Sequence, residues 1–229
     1  NGDKTVNVIF TQNSYVLTTA ASPVAGGTVT PATGPVLSNT VVTVTQTPNA
    51  GYTFTGWSGD CTGTTTCSVT MDAAKSVTAN YSQNDYKVTT NVTGNGTVTG
   101  AGTSYHWGDT VNVTATPAAG WSLGTVTGDC SSVPCTLTIN GDKTVNVVFT
   151  QNSYVLTTAA SPVAGGTVTP ATGPVLSNTV VTVTQTPNAG YTFTGWSGDC
   201  TGTAACSVTM DAAKSVTANY TQKIGRAHV

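Results

Sequence analysis

Residues 41–61 read VVTVTQTPNAGYTFTGWSGDC. Through Val41-Val42-Thr43-Val44-Thr45, apolar and hydroxyl side chains alternate, the period-two pattern of a strand with one buried face. Pro48-Asn49-Ala50-Gly51 then supplies turn residues, each suited to a tight reversal. An aromatic strand follows, Tyr52-Thr53-Phe54-Thr55-Gly56-Trp57, and Cys61 opens a loop that closes at Cys67. The same stretch recurs unchanged at 180–200. Outward from it, residues 1–83 recur as 140–222, differing only at Ile9/Val148, Thr65/Ala204, Thr66/Ala205 and Ser82/Thr221. Self-similarity at a fixed offset marks a tandem array.

Composition narrows the class. The chain carries 7 Lys and Arg against 9 Asp, with no Glu, and His106 is the only histidine before residue 223. So few cations cannot neutralise many phosphates, which excludes nucleic acid as a partner. No apolar run approaches the roughly 20 residues of a spanning helix, so no membrane insertion is expected. A bias to Thr, Val, Gly and Ser is hostile to helix and favourable to strand. It also separates the chain from disordered sequences, which lack β-branched residues. The expected class is all-β, mainly antiparallel, as an elongated array of small modules.

The modules lie at 13–83, 84–151 and 152–222, the middle one a divergent cousin of the outer two. Each follows one itinerary: an opening strand (15–20, 86–92), a short strand after a Gly turn (27–30, 96–99), the strand ending in Thr47-Pro48 or Thr116-Pro117, the aromatic strand, the Cys loop and a closing pair. Residues 1–12 match 140–151 and read as the C-terminal hairpin of a truncated preceding repeat. Residues 223–229, KIGRAHV, resemble nothing upstream and match one reading frame of a common sequencing adapter, so they read as a non-native tail.

One cysteine pair falls in each module: Cys61/Cys67, Cys130/Cys135 and Cys200/Cys206. Modules this small bury little surface, and secreted domains of that size add covalent staples. Disulfides are the favoured reading, and they place the chain in an oxidising, extracellular compartment. The alternative is zinc, which normally takes four ligands with two-residue spacing inside a pair.

The runs 48–61 and 67–81, with their repeats at 187–200 and 206–220, resemble the divergent internalin-type B-repeat family of bacterial surface proteins. In the middle module the motif thins to Pro117, Gly120-Trp121-Ser122-Leu123, Gly128-Asp129-Cys130, Cys135 and residues 143–149. The resemblance implies a small β-rich, β-grasp-like module strung in tandem on secreted or wall-associated proteins. It implies no catalysis and no cofactor.

Candidate sites are weighed on the same residues. Tyr52, Phe54 and Trp57, with Tyr191, Phe193 and Trp196, could form a stacking platform or a core. In the middle module Trp121, Leu123 and Val126 take the corresponding places. A platform does not survive exchange of Trp for Val, so all eight aromatic and Leu positions are assigned to the core. Asp60, Asp129 and Asp199 precede each first Cys and are expected to cap their own turns, since calcium needs more oxygens than one Asp provides. Lys75, Lys143 and Lys214 begin the closing strand as edge charges. His106 lacks a catalytic partner, and the acceptor sequons at Asn91, Asn95 and Asn112 reflect abundant Thr. The function expected is a non-catalytic stalk of a cell-surface protein, adhesin-like, its partners the adjacent repeats. The alternative is a glycan- or protein-binding module, or an accessory region of a secreted enzyme.

Overall fold

The computed structural model describes residues 2–224. The first module has seven strands: β1 (Ser14–Ser22), β2 (Gly27–Thr30), β3 (Gly34–Leu37), β4 (Val41–Pro48), β5 (Tyr52–Gly59), β6 (Cys67–Thr70) and β7 (Lys75–Gln83). They form a four-stranded sheet, β3-β1-β7-β5, and a three-stranded sheet, β2-β4-β6. All pairs are antiparallel except β1 with β7, which run parallel from Leu17↔Lys75 to Ser22↔Asn80. A single 3-10 turn, Val24–Gly26, joins β1 to β2.

The middle module runs β8 (Tyr86–Thr93), β9 (Gly96–Val98), β10 (Gly102–Tyr105), β11 (Thr110–Val113), β12 (Ala115–Pro117), β13 (Trp121–Gly128), β14 (Cys135–Thr138) and β15 (Lys143–Gln151). Its sheets are β10-β8-β15-β13, β11-β14 and β12-β9. The itinerary is unchanged: β4 pairs β6 through its first half and β2 through its second, and β11 and β12 are those halves separated at Thr114. The third module repeats the first as β16 (Ser153–Ser161), β17 (Gly166–Thr169), β18 (Gly173–Leu176), β19 (Val180–Pro187), β20 (Tyr191–Gly198), β21 (Cys206–Thr209) and β22 (Lys214–Gln222).

Two compact units make up the chain. One holds the residues up to Val88 with Gly102–Val111 and Thr138–Lys143, and the other holds Thr89–Ala101, Asn112–Leu137 and the chain from Thr144. No helix among the described residues is long and apolar enough to cross a membrane.

The core of the first module follows from strand alternation. From the larger sheet Leu17, Val77, Ala79 and Tyr81 point inward; from the smaller, Val44, Cys67 and Val69, with Met71 beyond its end. The hydroxyls of β4, Thr43, Thr45 and Thr47, lie on the exposed face. The Gly26-Gly27 step passes directly over Tyr81: a Cβ on Gly26 would lie 2.6 Å from the Tyr81 Cβ. That close approach lets the Tyr81 hydroxyl donate to Thr28 O at 3.2 Å.

Two features depart from the expected itinerary. β3 and β18 are edge strands carrying Pro35 and Pro174, tolerated there because an edge leaves one N–H row unpaired. Residues 2–13 form no strand and no hairpin; Val6, Val8, Ile9 and Phe10 are exposed. Of the expected tail, Lys223 donates its N–H to Gly190 O, and residues 225–229 lie outside the described residues.

Candidate functional site

The aromatic strand owes its arrangement to a bulge. β5 pairs with β7 through Phe54↔Tyr81 and Gly56↔Asn80, leaving Thr55 without a partner. Strand period two would put Phe54 and Trp57 on opposite faces; the extra residue puts them on the same one. Their rings meet edge to face at 5.1 Å, and Phe54 meets Tyr81 in the same way at 5.8 Å. Trp57 is buried, and its indole N–H donates to Thr65 O at 3.0 Å. Its backbone N–H donates to Gly63 O, so the Cys-bounded loop folds over the ring. The third module reproduces this around Phe193, Trp196 and Tyr220. Burial raises the phenol pKa of Tyr81 and Tyr220.

Disulfides join Cys61 to Cys67, Cys130 to Cys135 and Cys200 to Cys206, and no cysteine is free. In the outer modules each ties the end of the aromatic strand, in the larger sheet, to the first residue of β6 or β21 in the smaller. No group of three or more His, Cys, Asp or Glu that could hold a metal exists among the described residues.

Asp60 does not cap its own turn. Its Oδ2 accepts from Ser76 N at 2.6 Å, and its N–H donates to Ser76 O, fastening the loop to the start of β7. Asp129 does the same with Thr144, and Asp199 with Ser215. The reason is register: the residue after Gly59 comes to lie beside Ser76, so the nearest free donor is across the sheet. Lys75 bonds Asp72 at 2.8 Å and approaches Asp60 at 3.8 Å. The hydrogen bond to Lys75 lowers the pKa of Asp72, and the same bond raises that of Lys75; Asp211 and Lys214 behave alike.

Tyr52, Phe54, Tyr191 and Phe193 are half-buried against the clusters around Trp57 and Trp196, and Trp121 is half-buried. Leu123 corrects the expectation of a core residue: it is 40 % exposed. Val126 stands where Trp57 stands, and without the indole nothing comparable covers Leu123. The side chains of Asn91 and Asn112 are engaged with Asn146 and Thr136.

Beside the aromatic cluster of the third module lies a shallow cleft of about 250 Å³, lined by Gln185, Phe193, Trp196, Thr203, Ala204 and Ala205 among others. Gln185 Oε1 is buried without a hydrogen-bond partner, as is Gln46 Oε1 in the first module. Two of the four positions that distinguish the copies, Ala204 and Ala205, lie on this rim. The cleft offers an apolar wall bordered by Thr182, Thr184 and Thr203, while the Gln185 acceptor lies beneath its surface.

The sequence model of the divergent InlB B-repeat domain matches residues 17–85, 86–153 and 156–224. The chain belongs to this family. No curated protein matches it. Successive B-repeats meet through residues that the sequence had not singled out. Between the first and second, Asn84 N–H donates to Gly51 O at 2.8 Å and Trp107 stands against Gly51; within the second, Trp107 lies 6.3 Å from the Tyr86 ring and His106 Nε2 3.4 Å from Asp85 Oδ1. Between the second and third, Asn152 N–H donates to Gly120 O, Ser177 Oγ to Gly120 O at 2.6 Å and Asn178 Nδ2 to Ala119 O at 3.0 Å. The only sequence signal for these contacts is the shared Ala-Gly turn, read as punctuation.

Proposed function

We infer that this B-repeat region is a non-catalytic stalk or spacer of an extracellular or cell-surface bacterial protein, adhesin-like in setting. The observation that carries this reading is the orientation of the aromatic strand. Trp57 and Trp196 lie inside the modules with their indole N–H groups already bonded, while β4 and β19 turn Thr43, Thr45 and Thr47 and their counterparts Thr182, Thr184 and Thr186 outward. The disulfide in every repeat supports an oxidising compartment. Family membership supports the setting on a bacterial surface.

A stalk is tested by length and by inertness together. In a series with one, two and three repeats, end-to-end distance measured by pairs of attached fluorophores should grow in equal steps. Trp57 and Trp196 should emit as buried residues and stay unchanged against a glycan panel. A distance that fails to grow, or emission that shifts with a glycan, sinks the stalk.

The second reading is a glycan- or protein-binding module, and the cleft beside Phe193 favours it. Phe193 with Ala204 and Ala205 would meet an apolar ligand face, with Thr182, Thr184 and Thr203 at its edge. Saturable binding that Ala205→Asp abolishes without loss of stability would establish that reading.

A further inference from the structure

Residues 4–12, KTVNVIFTQ, match β15, KTVNVVFTQ, at every position but Ile9. In β15 the inward side chains Val145, Val147 and Phe149 are 0 %, 1 % and 2 % exposed; their counterparts Val6, Val8 and Phe10 are 81 %, 66 % and 90 % exposed. Just beyond, the geometry of the two copies coincides. Gln12 Nε2 donates to Ser38 O at 2.6 Å and Ser38 N to Asn13 O at 2.8 Å, as Gln151 does to Ser177 O and Ser177 to Asn152 O, both at 2.8 Å. The copies differ in what covers them. Ser177 is buried beneath the Ala119-Gly120 turn, while Ser38 is only half-buried.

We propose that segment 2–13 and the Ser38-Asn39 corner form one docking surface, and that its occupant is the body of a middle-type repeat, with the chemistry of residues 84–139. The surface discriminates against an outer-type body. There the closing strand has Ala79 fully buried where segment 2–13 carries Val8, so the added methyl groups overfill the core. Phe10 would also stand where the Tyr81 hydroxyl donates to Thr28 O. The corner discriminates as well. Gly120 lies so close to Ser177 and Asn178 that a Cβ would fall 2.5 Å from Ser177 Oγ. The outer-type turn at Gly51 is instead met by the Trp107 side chain, which the Ser38 corner lacks. The two junction chemistries are therefore not interchangeable, and the surface stands whether or not the array serves as a stalk.

The test fuses a second copy of residues 84–139 directly ahead of residue 1 of the full chain and compares it with the unfused chain. Amide hydrogen exchange is read at residues 5–11. Exchange there should slow at least about tenfold. The effect should vanish in the doubly substituted chain carrying Val8→Asp and Phe10→Asp, weaken with Ser38→Trp and persist with Val8→Ile. All these positions lie outside the module cores, so folding of the rest is retained. Unchanged exchange in the fused chain, or slowing that survives the Asp substitutions, overturns the proposal.

Discussion

Thr55 decides the aromatic site, because its unpaired place in β5 turns Phe54 and Trp57 to one side. Gly56 inside a strand pattern is the usual trace of such a bulge, so the feature was visible in the sequence though not its consequence. Burial of Trp57 was legible by comparison with Val126, since only a core slot accepts both side chains. The same comparison failed at Leu123, because the loss of one ring uncovers its neighbour, and a single-column alignment does not register that. Ala79 offers a sharper test at this scale. It is fully buried opposite Trp57, so Ala79→Val should destabilise the first module by about 1–3 kcal/mol, read from urea unfolding. The Asp72–Lys75 and Asp211–Lys214 pairs set a pH dependence with a definite sign. The lowered carboxyl pKa values give stability that is present above the unfolded carboxylate value and is lost as pH falls through the folded one. The raised Lys and Tyr values give stability that is complete below pH 10 and is lost above it. Melting temperature should therefore plateau between about pH 5 and 10 and fall on both sides. Asp72→Asn with Asp211→Asn should flatten the acid limb.

The element scale shows which relations a period-two pattern can carry. Alternation named the faces of β4 correctly, because inward and outward positions are a property of one strand. It says nothing about which strands become neighbours, and so the parallel pairing of the first strand with the last was not readable. β3 escaped notice because Gly34-Pro35 breaks the pattern, and an edge position is what permits it. The disulfides join the two sheets of each outer module, closing loops of a few residues. Replacing Cys61 and Cys67 with Ser should lower the stability of the first module by about 2 kcal/mol in urea unfolding, with the third module unaffected.

Across the whole chain, the repeat itself was the most legible feature, since 79 of 83 positions recur. The junctions were not. Ser177, Asn178 and Trp107 are ordinary surface residues within their own modules, and they acquire a role only against a turn from the preceding one. These contacts set where neighbouring repeats couple. Gly120 has φ +80° and no room for a Cβ. Gly120→Val should unseat the second junction. The amides of Asn152 and Ser177 should then exchange at least about tenfold faster, while that of Val216 in the third core keeps its rate. Equal acceleration at Val216 would mean that the junction and the module open as one.

The parallel pairing of β1 with β7 has a mechanical meaning. Tension carried along the chain enters a repeat at the start of β1 and leaves at the end of β7. Because these strands are adjacent and parallel, the pull drags them past each other along their shared axis. The bonds across the six paired positions from Leu17↔Lys75 to Ser22↔Asn80 are then loaded together in shear, not opened one after another like a zipper. Forced unfolding is governed by the unfolding barrier, and shear keeps that barrier high. The Cys61–Cys67 bond lies outside this pair, between β5 and β6, so the load-bearing clamp is a hydrogen-bonded one that reducing agents do not cut.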